Sequence, residues 1–93
     1  MYINKMIFME RDDFKTDDKE KNLFLEDYLM QETDYGSVEI TADHIKELLE
    51  EAEDYNSFEK SPDEIEAIIQ EAIGEEVFNM LFNEELDFIQ VLY

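Results

Sequence analysis

The chain contains no cysteine or tryptophan, and it has one proline and two glycines among 93 residues. Without cysteine it has no disulfide framework, no thiol nucleophile and no thiolate metal site, which suits a reducing compartment such as the cytoplasm. Gly36 and Gly74 stand alone, so there is no glycine-rich phosphate-binding loop. No run approaches the roughly 18 apolar residues of a membrane span, and residues 1–10 do not resemble a signal peptide. We therefore expect a cytoplasmic protein without a membrane partner.

Basic residues are also scarce, because seven Lys and Arg face 27 Asp and Glu and give a formal net charge of −20. Residues 1–21 hold five bases and six acids, a net charge of −1, whereas residues 22–93 hold 21 acids against Lys46 and Lys60, a net charge of −19. Such one-sided charge opposes compaction through self-repulsion. Its retention predicts a partner that ordinarily binds polyanions.

The apolar content shows that this acidic chain is not of the disordered class. Hydrophobic residues make up 44% of the sequence, with seven Phe and five Tyr. Disordered acidic chains are poor in hydrophobic and aromatic residues. A length of 93 residues supports one modest core, so we expect a single acidic domain over residues 1–93.

The first half of the chain predicts two strands and a helix. Alternation over residues 2–9 places Tyr2, Met6 and Phe8 on one face of a strand. Thr16 or Asp17 is a suitable N-cap for a helix that follows. A second, short strand is predicted at residues 37–40.

Two further helices and a strand are predicted in the second half. Thr41 is an N-cap for a helix whose apolar residues recur at helical spacing, namely Ile45, Leu48, Leu49 and Ala52. Ser61, Pro62 and Glu64 form a capping box that begins the next helix, which Gly74 weakens or ends before it continues to residue 82. Residues 86–93 are apolar on both faces, which predicts a central or interface strand. The predicted fold is α+β, with a small sheet of about three strands packed with about three amphipathic helices.

Catalytic and metal-binding constellations are absent from the pattern. His44 and Glu47 could supply two metal ligands, but no second His or any Cys completes a site, and a solvated His44 is the favoured interpretation. Pairs of carboxylates carry no specificity among so many acids. We expect no enzymatic activity, no cofactor and no bound metal.

Carboxylates along the two acidic helices are spaced like phosphates. Residues 43–54 carry six acids and one base, and residues 63–76 carry six acids and no base, each roughly one net charge per 3.3 Å of helix axis. One DNA strand presents a phosphate about every 3.4 Å. The predicted partner-binding residues are Asp43, Glu47, Glu50, Glu51, Asp54, Asp63, Glu64, Glu66, Glu71, Glu75 and Glu76. A row of carboxylates is more often a solvated helix face, but the magnitude here favours a displayed array.

Aromatic residues interspersed among the acids could add stacking contacts with arginine side chains of a partner. The candidates are Tyr28, Tyr35, Tyr55 and Phe58. For Tyr55 and Phe58, closure of the turn between two helices is the favoured interpretation.

The small, cysteine-free, strongly acidic chain resembles the phage-encoded DNA-mimic inhibitors, and as a whole it is most similar to the Arn anti-restriction family of T-even bacteriophages. The segments compared are Ile-Thr-Ala-Asp-His-Ile-Lys-Glu-Leu-Leu-Glu-Glu and Ser-Pro-Asp-Glu-Ile-Glu. The resemblance implies an early phage protein that evades host defence as a homodimer whose carboxylates imitate duplex DNA. It implies as partners modification-dependent restriction nucleases and the histone-like nucleoid-structuring protein, without direct binding to nucleic acid.

Two other classes stay open. The first alternative is an immunity-type or antitoxin inhibitor that docks specifically on one cationic nuclease through a few dominant residues. The second is a binding module for a transcription or replication factor that uses the apolar strand at residues 88–93. A DNA mimic should instead bind several unrelated DNA-binding proteins and lose affinity steeply with salt.

Overall fold

The computed structural model describes residues 5–30 and 36–92, in which three strands and four α-helices follow one another along the chain. They are β1 (Met6–Glu10), a short 3₁₀ turn (Arg11–Asp13), α1 (Lys19–Tyr28), β2 (Ser37–Ile40), α2 (Ala42–Tyr55), α3 (Pro62–Ile73), α4 (Glu75–Phe82) and β3 (Phe88–Leu92). The predicted α+β class is confirmed. Residues 2–4 of the predicted first strand, Tyr35 and Tyr93 lie outside the described residues.

The three strands form one mixed sheet in the order β1-β3-β2. Strand β3 pairs in parallel with β1, where Met6 faces Phe88, and antiparallel with β2, where Ile40 faces Ile89. The prediction of a central final strand is therefore confirmed. Both edges of β3 are therefore hydrogen-bonded, and its Ile89 and Val91 are fully buried.

The described helices cover one face of the sheet and leave the other open. Ile40, Ile89 and Val91 are buried on the inner face, and Ile7 and Met9 pack against the same core. The opposite face is termed here the outer sheet face and consists of Met6, Phe8, Glu10, Ser37, Glu39, Phe88, Gln90 and Leu92. Its apolar side chains are unusually open, since Phe8 is 60%, Met6 45% and Leu92 41% exposed.

Hydroxyl caps fix where α2 and α3 begin. The Oγ1 atom of Thr41 accepts a hydrogen bond from the His44 amide at 3.1 Å, and the Oγ atom of Ser61 accepts one from the Glu64 amide at 3.2 Å. Pro62 occupies the first turn of α3, where its missing N–H costs nothing. Both predicted caps are confirmed, and they set which residues of each helix face the core.

The predicted cap of α1 was wrong by one or two residues. Asp18 caps the helix, with its Oδ1 atom accepting from the Glu20 and Lys21 amides at 2.8 and 3.3 Å. Thr16 is buried and exchanges hydrogen bonds with the side chain of Asn22, its amide donating to Oδ1 at 2.6 Å and its carbonyl accepting from Nδ2 at 3.0 Å. Thr16 thus anchors the loop before α1.

Gly74 separates α3 from α4. Its φ of 91° and ψ of 142° belong to a backbone region that residues with a Cβ rarely adopt. Its amide donates to the Gln70 carbonyl at 2.8 Å, and its own carbonyl accepts from the Phe78 amide at 3.0 Å. The glycine therefore ends one helix and begins another, so residues 63–76 are not a single helix.

Helix α3 lies at the centre of the helical layer and contacts α1, α2 and α4. Its Ile65 and Ile69, together with Ile45 of α2, are fully buried in a single hydrophobic cluster. Burial of each such side chain contributes about 1.5–3 kcal/mol. The apolar stripes therefore hold the helices in fixed rotation, and their acids point away from the core.

Candidate partner-binding surface

Five carboxylates of α2 lie on one face of the helix. This set, termed here the α2 stripe, consists of Asp43, Glu47, Glu50, Glu51 and Asp54, all of which are exposed. At about 100° of rotation per residue, the five fall within an arc of about 100°. The arc lies opposite the buried Ile45, Leu48 and Ala52. The structure thus brings together all five predicted site residues of this helix.

The spacing of the α2 stripe is of the same order as that of a phosphate row. Its five charges extend over about 16 Å of axis, in four intervals that average about 4 Å, against about 3.4 Å per phosphate in one DNA strand. Lys46 lies on the flank of the helix, with its Nζ atom 5.6 Å from the centre of the Phe82 ring. Lys46 follows Asp43 by three residues and precedes Glu50 by four, but among the described residues it forms no ion pair with either carboxylate.

The acids of α3 are arranged differently. Asp63 and Glu66 lie toward one side of the outward face and Glu64 and Glu71 toward the other, with the exposed Ala67 between them. Glu66 is half-buried, and its Oε1 atom accepts from the Gln70 amide group at 3.4 Å. These four predicted residues do not form a stripe.

One base of the N-terminal region, Lys21, pairs with an acid of α3. The Nζ atom of Lys21 lies 3.0 Å from Oε2 of Glu71, and Lys21, Lys60 and Glu64 line one groove between α1 and α3. The hydrogen bond and charge of Glu71 raise the pKa of the Lys21 ammonium above its usual 10.5. Glu71 is therefore already paired within the chain, and this side of the molecule has mixed charge.

The last two predicted acids, Glu75 and Glu76, lie in the first turn of α4. There the positive end of the helix dipole favours negative charge, which gives them a local structural role. Because Gly74 redirects the chain between α3 and α4, they do not prolong an α3 row. The prediction of one continuous row of charge over residues 63–76 is therefore wrong, and the regular array is confined to α2.

The aromatic candidates separate into packed and free rings. Tyr28 and Phe58 stack edge to face at 4.5 Å between ring centres, and both contact Phe24. Phe58 thus closes the contact between α1 and the α2–α3 turn, as the favoured interpretation had it. Tyr55 does not share this role, since it is 76% exposed at the end of α2.

The described residues do not form a metal site or a membrane-spanning helix. Across residues 5–30 and 36–92, no group of three His, Asp or Glu side chains is placed to hold a metal ion. His44 lies half-buried in the first turn of α2. No helix in this part of the chain is both long enough and apolar enough to cross a membrane.

The outer sheet face is a feature that the sequence reading did not identify as a surface. Its signal was present, because Met6 and Phe8 recur at period two and Phe88 and Leu92 share the same parity in β3. The pattern could not show which face of the sheet the helices would cover.

No family model, no curated protein and no solved structure matches this chain.

Proposed function

We propose that this protein is a DNA-mimic inhibitor that occupies the DNA-binding groove of host DNA-binding proteins through the α2 stripe. The observation that carries the proposal is the placement of five exposed carboxylates on one helix face at phosphate-like spacing, with the nearest base directed to Phe82. Basic grooves gain affinity by neutralising such rows of negative charge. A rigid helix that displays the row would compete with DNA for the groove.

The targets follow from the resemblance to the phage inhibitors. They are a modification-dependent restriction nuclease, a histone-like nucleoid protein, or both, encountered in the cytoplasm of a bacterial host. The proposal assigns the chain no catalytic step and no cofactor. A single regular row corresponds to the phosphates of one strand, so contact with one wall of a groove is the proposed mode of binding.

An immunity-type or antitoxin inhibitor of one cationic nuclease is the second candidate. It is supported by the confinement of the array to α2, because specific docking needs only a small surface with a few dominant contacts. The two candidates differ in the number of partners and in what displaces them. A mimic is displaced by duplex DNA from each of several partners.

Homodimer formation belongs to the same proposal, and we assign it to the outer sheet face. Four apolar side chains lie there on the side of the core opposite the helices, away from the α2 stripe. Two chains of charge −20 repel one another least where they carry least charge, and this face has two acids, Glu10 and Glu39. Equilibrium sedimentation should show a dimer that Phe8→Glu dissociates. A wild-type monomer at all concentrations would remove this part of the proposal.

The inhibitory surface is tested with matched variants. One carries E47Q, E50Q, E51Q and D54N on the α2 stripe, and the control carries D12N, D13N, E84Q and E85Q at exposed positions elsewhere. Both remove four negative charges, so they separate pattern from net charge. Recovery of basic partners from a host lysate should fail for the first variant and persist for the control. Equal loss of partner recovery in both variants would mean that net charge, and not the placement of the acids, determines binding.

A further inference from the structure

The C-terminal end of α2 combines two features that each favour a cation. The last turn contains Glu53 and Asp54 and no base. The helix dipole places partial negative charge at this end, so acids there are unfavourable and Lys or Arg is the usual choice. The last turns of α1 and α3 also contain acids and no base, but there Arg11 pairs with Glu26 and Lys21 with Glu71.

Tyr55 supplies the second feature as the last residue of the helix. It is 76% exposed, whereas the other described helical aromatic rings, at positions 24, 28, 78 and 82, are buried or half-buried and engaged with a second ring. Glu51 precedes it by four residues, so the two side chains are neighbours on the helix surface. An aromatic face and a carboxylate thus lie side by side at the end of the α2 stripe.

The end of α3 shows how the same problem is resolved within the chain. Its last turn also carries an acid and no base, but there Lys21 of α1 reaches Glu71 at 3.0 Å. Among the described residues, no recorded ion pair serves the end of α2. Asn56 ends the helix in the left-handed conformation with φ of 49°, and the chain then turns away toward α3.

We propose that Tyr55 and Glu51, at the C-terminal end of α2, form a binding site for an arginine side chain of the partner. A guanidinium stacks on the tyrosine ring while its N–H groups donate to the Glu51 carboxylate, and the helix end adds attraction for its charge. Lysine lacks the planar fork and gains less from this arrangement. The inference rests on the proposed function, because it assigns to the α2 stripe one subsite that discriminates between the two basic residues.

The test compares an alternating Arg-Gly peptide with a Lys-Gly peptide of equal length, measured by calorimetry at about 0.15 M salt. Wild-type protein should favour the Arg peptide, and Tyr55→Ala should reduce that preference about fivefold while leaving the affinity for the Lys peptide nearly unchanged. Tyr55→Phe should retain the preference because the ring remains. The matched control is Leu23→Ala, which removes a side chain that is 57% exposed on α1.

An unchanged preference in Tyr55→Ala would overturn the arginine site while leaving the DNA-mimic proposal standing. Loss of binding of both peptides only in the α2 stripe variant would support the array. Absence of salt-dependent binding of either peptide to wild-type protein would instead remove the proposed function. As a second measurement, Asp54→Lys should raise the thermal midpoint, because a base replaces an acid at the helix end, and should weaken Arg-peptide binding. A lowered midpoint would contradict the dipole argument.

Discussion

Helices α2 and α3 carry acids at similar density and bury similar apolar stripes, yet they present those acids differently. On α2 five carboxylates share one face and form no ion pair with any described residue, whereas on α3 four are divided between two sides and Glu71 is paired with Lys21. The difference follows from spacing. At about 100° of rotation per residue, the five α2 acids fall within an arc of about 100°, whereas the four α3 acids spread over about 160°. Charge count alone therefore does not make an array.

The largest expected effect is on binding affinity, when four acids are neutralised either on α2 or on α3. Neutralising the four α2 positions 47, 50, 51 and 54 should weaken binding to a basic partner about thirtyfold, from four exposed ion pairs at about 0.5 kcal/mol each. Neutralising the four α3 acids at positions 63, 64, 66 and 71 should change affinity by much less. Titration calorimetry against one recovered partner measures both. Equal losses would remove the distinction between the helices.

The α2 variant should unfold at the same temperature as the wild type or higher, because fewer like charges repel one another in the folded state. In the α3 variant the same relief is opposed by loss of the Lys21–Glu71 pair, so its melting temperature should stay close to that of the wild type. Circular dichroism melting provides this control. A variant that melts much lower would have lost structure, and its binding result would then be replaced by that of single substitutions along the stripe.

A smaller effect, on the free energy of unfolding, is expected from a substitution at Gly74, which separates α3 from α4. Gly74→Ala places a Cβ on a residue with φ of 91°, and the added atom meets open space, so the cost is one of backbone conformation. We expect a loss of about 1–2 kcal/mol in the free energy of unfolding. Urea denaturation measures it. An unchanged midpoint would mean that α3 and α4 are joined without the strain assigned to this residue.

The smallest effect concerns the ion pair that distinguishes α3. Because Glu71 raises the pKa of Lys21, the pair stabilises the fold below about pH 10 and the contribution is lost as pH rises through that elevated value. Lys21→Met should therefore melt slightly below the wild type from neutral pH upward, and the two curves should converge at strongly alkaline pH. A difference that persists there would assign the effect to packing.

Local rules predicted much of this fold. The hydroxyl caps at Thr41 and Ser61, the apolar stripes of α2 and α3, and the central position of the last strand depend on near neighbours in sequence or on composition. Helices α2 and α3 begin where their caps were predicted because one side-chain oxygen and one amide three residues later decide it. The α2 stripe could be predicted because, once Thr41 fixes the start of α2, residue spacing alone decides which acids share a face.

Other features depend on contacts that periodicity does not encode. The pairing of Lys21 with Glu71 joins residues 50 positions apart, and it decides that part of the α3 charge is neutralised. Thr16 was a plausible cap, but its contact with Asn22 leaves that role to Asp18. The bare outer sheet face depends on which side the helices cover. The exposure of Tyr55 depends on where the chain turns after α2.

Displacement by DNA is the measurement that tests the central claim most directly. Wild-type protein is immobilised, its basic partners are bound from host lysate, and duplex DNA is added in increasing amounts. Competition for one groove predicts that each partner is released in proportion to its affinity for DNA, and that the α2 stripe variant retains none to release. Partners that remain bound to the wild type at saturating DNA would contradict DNA mimicry.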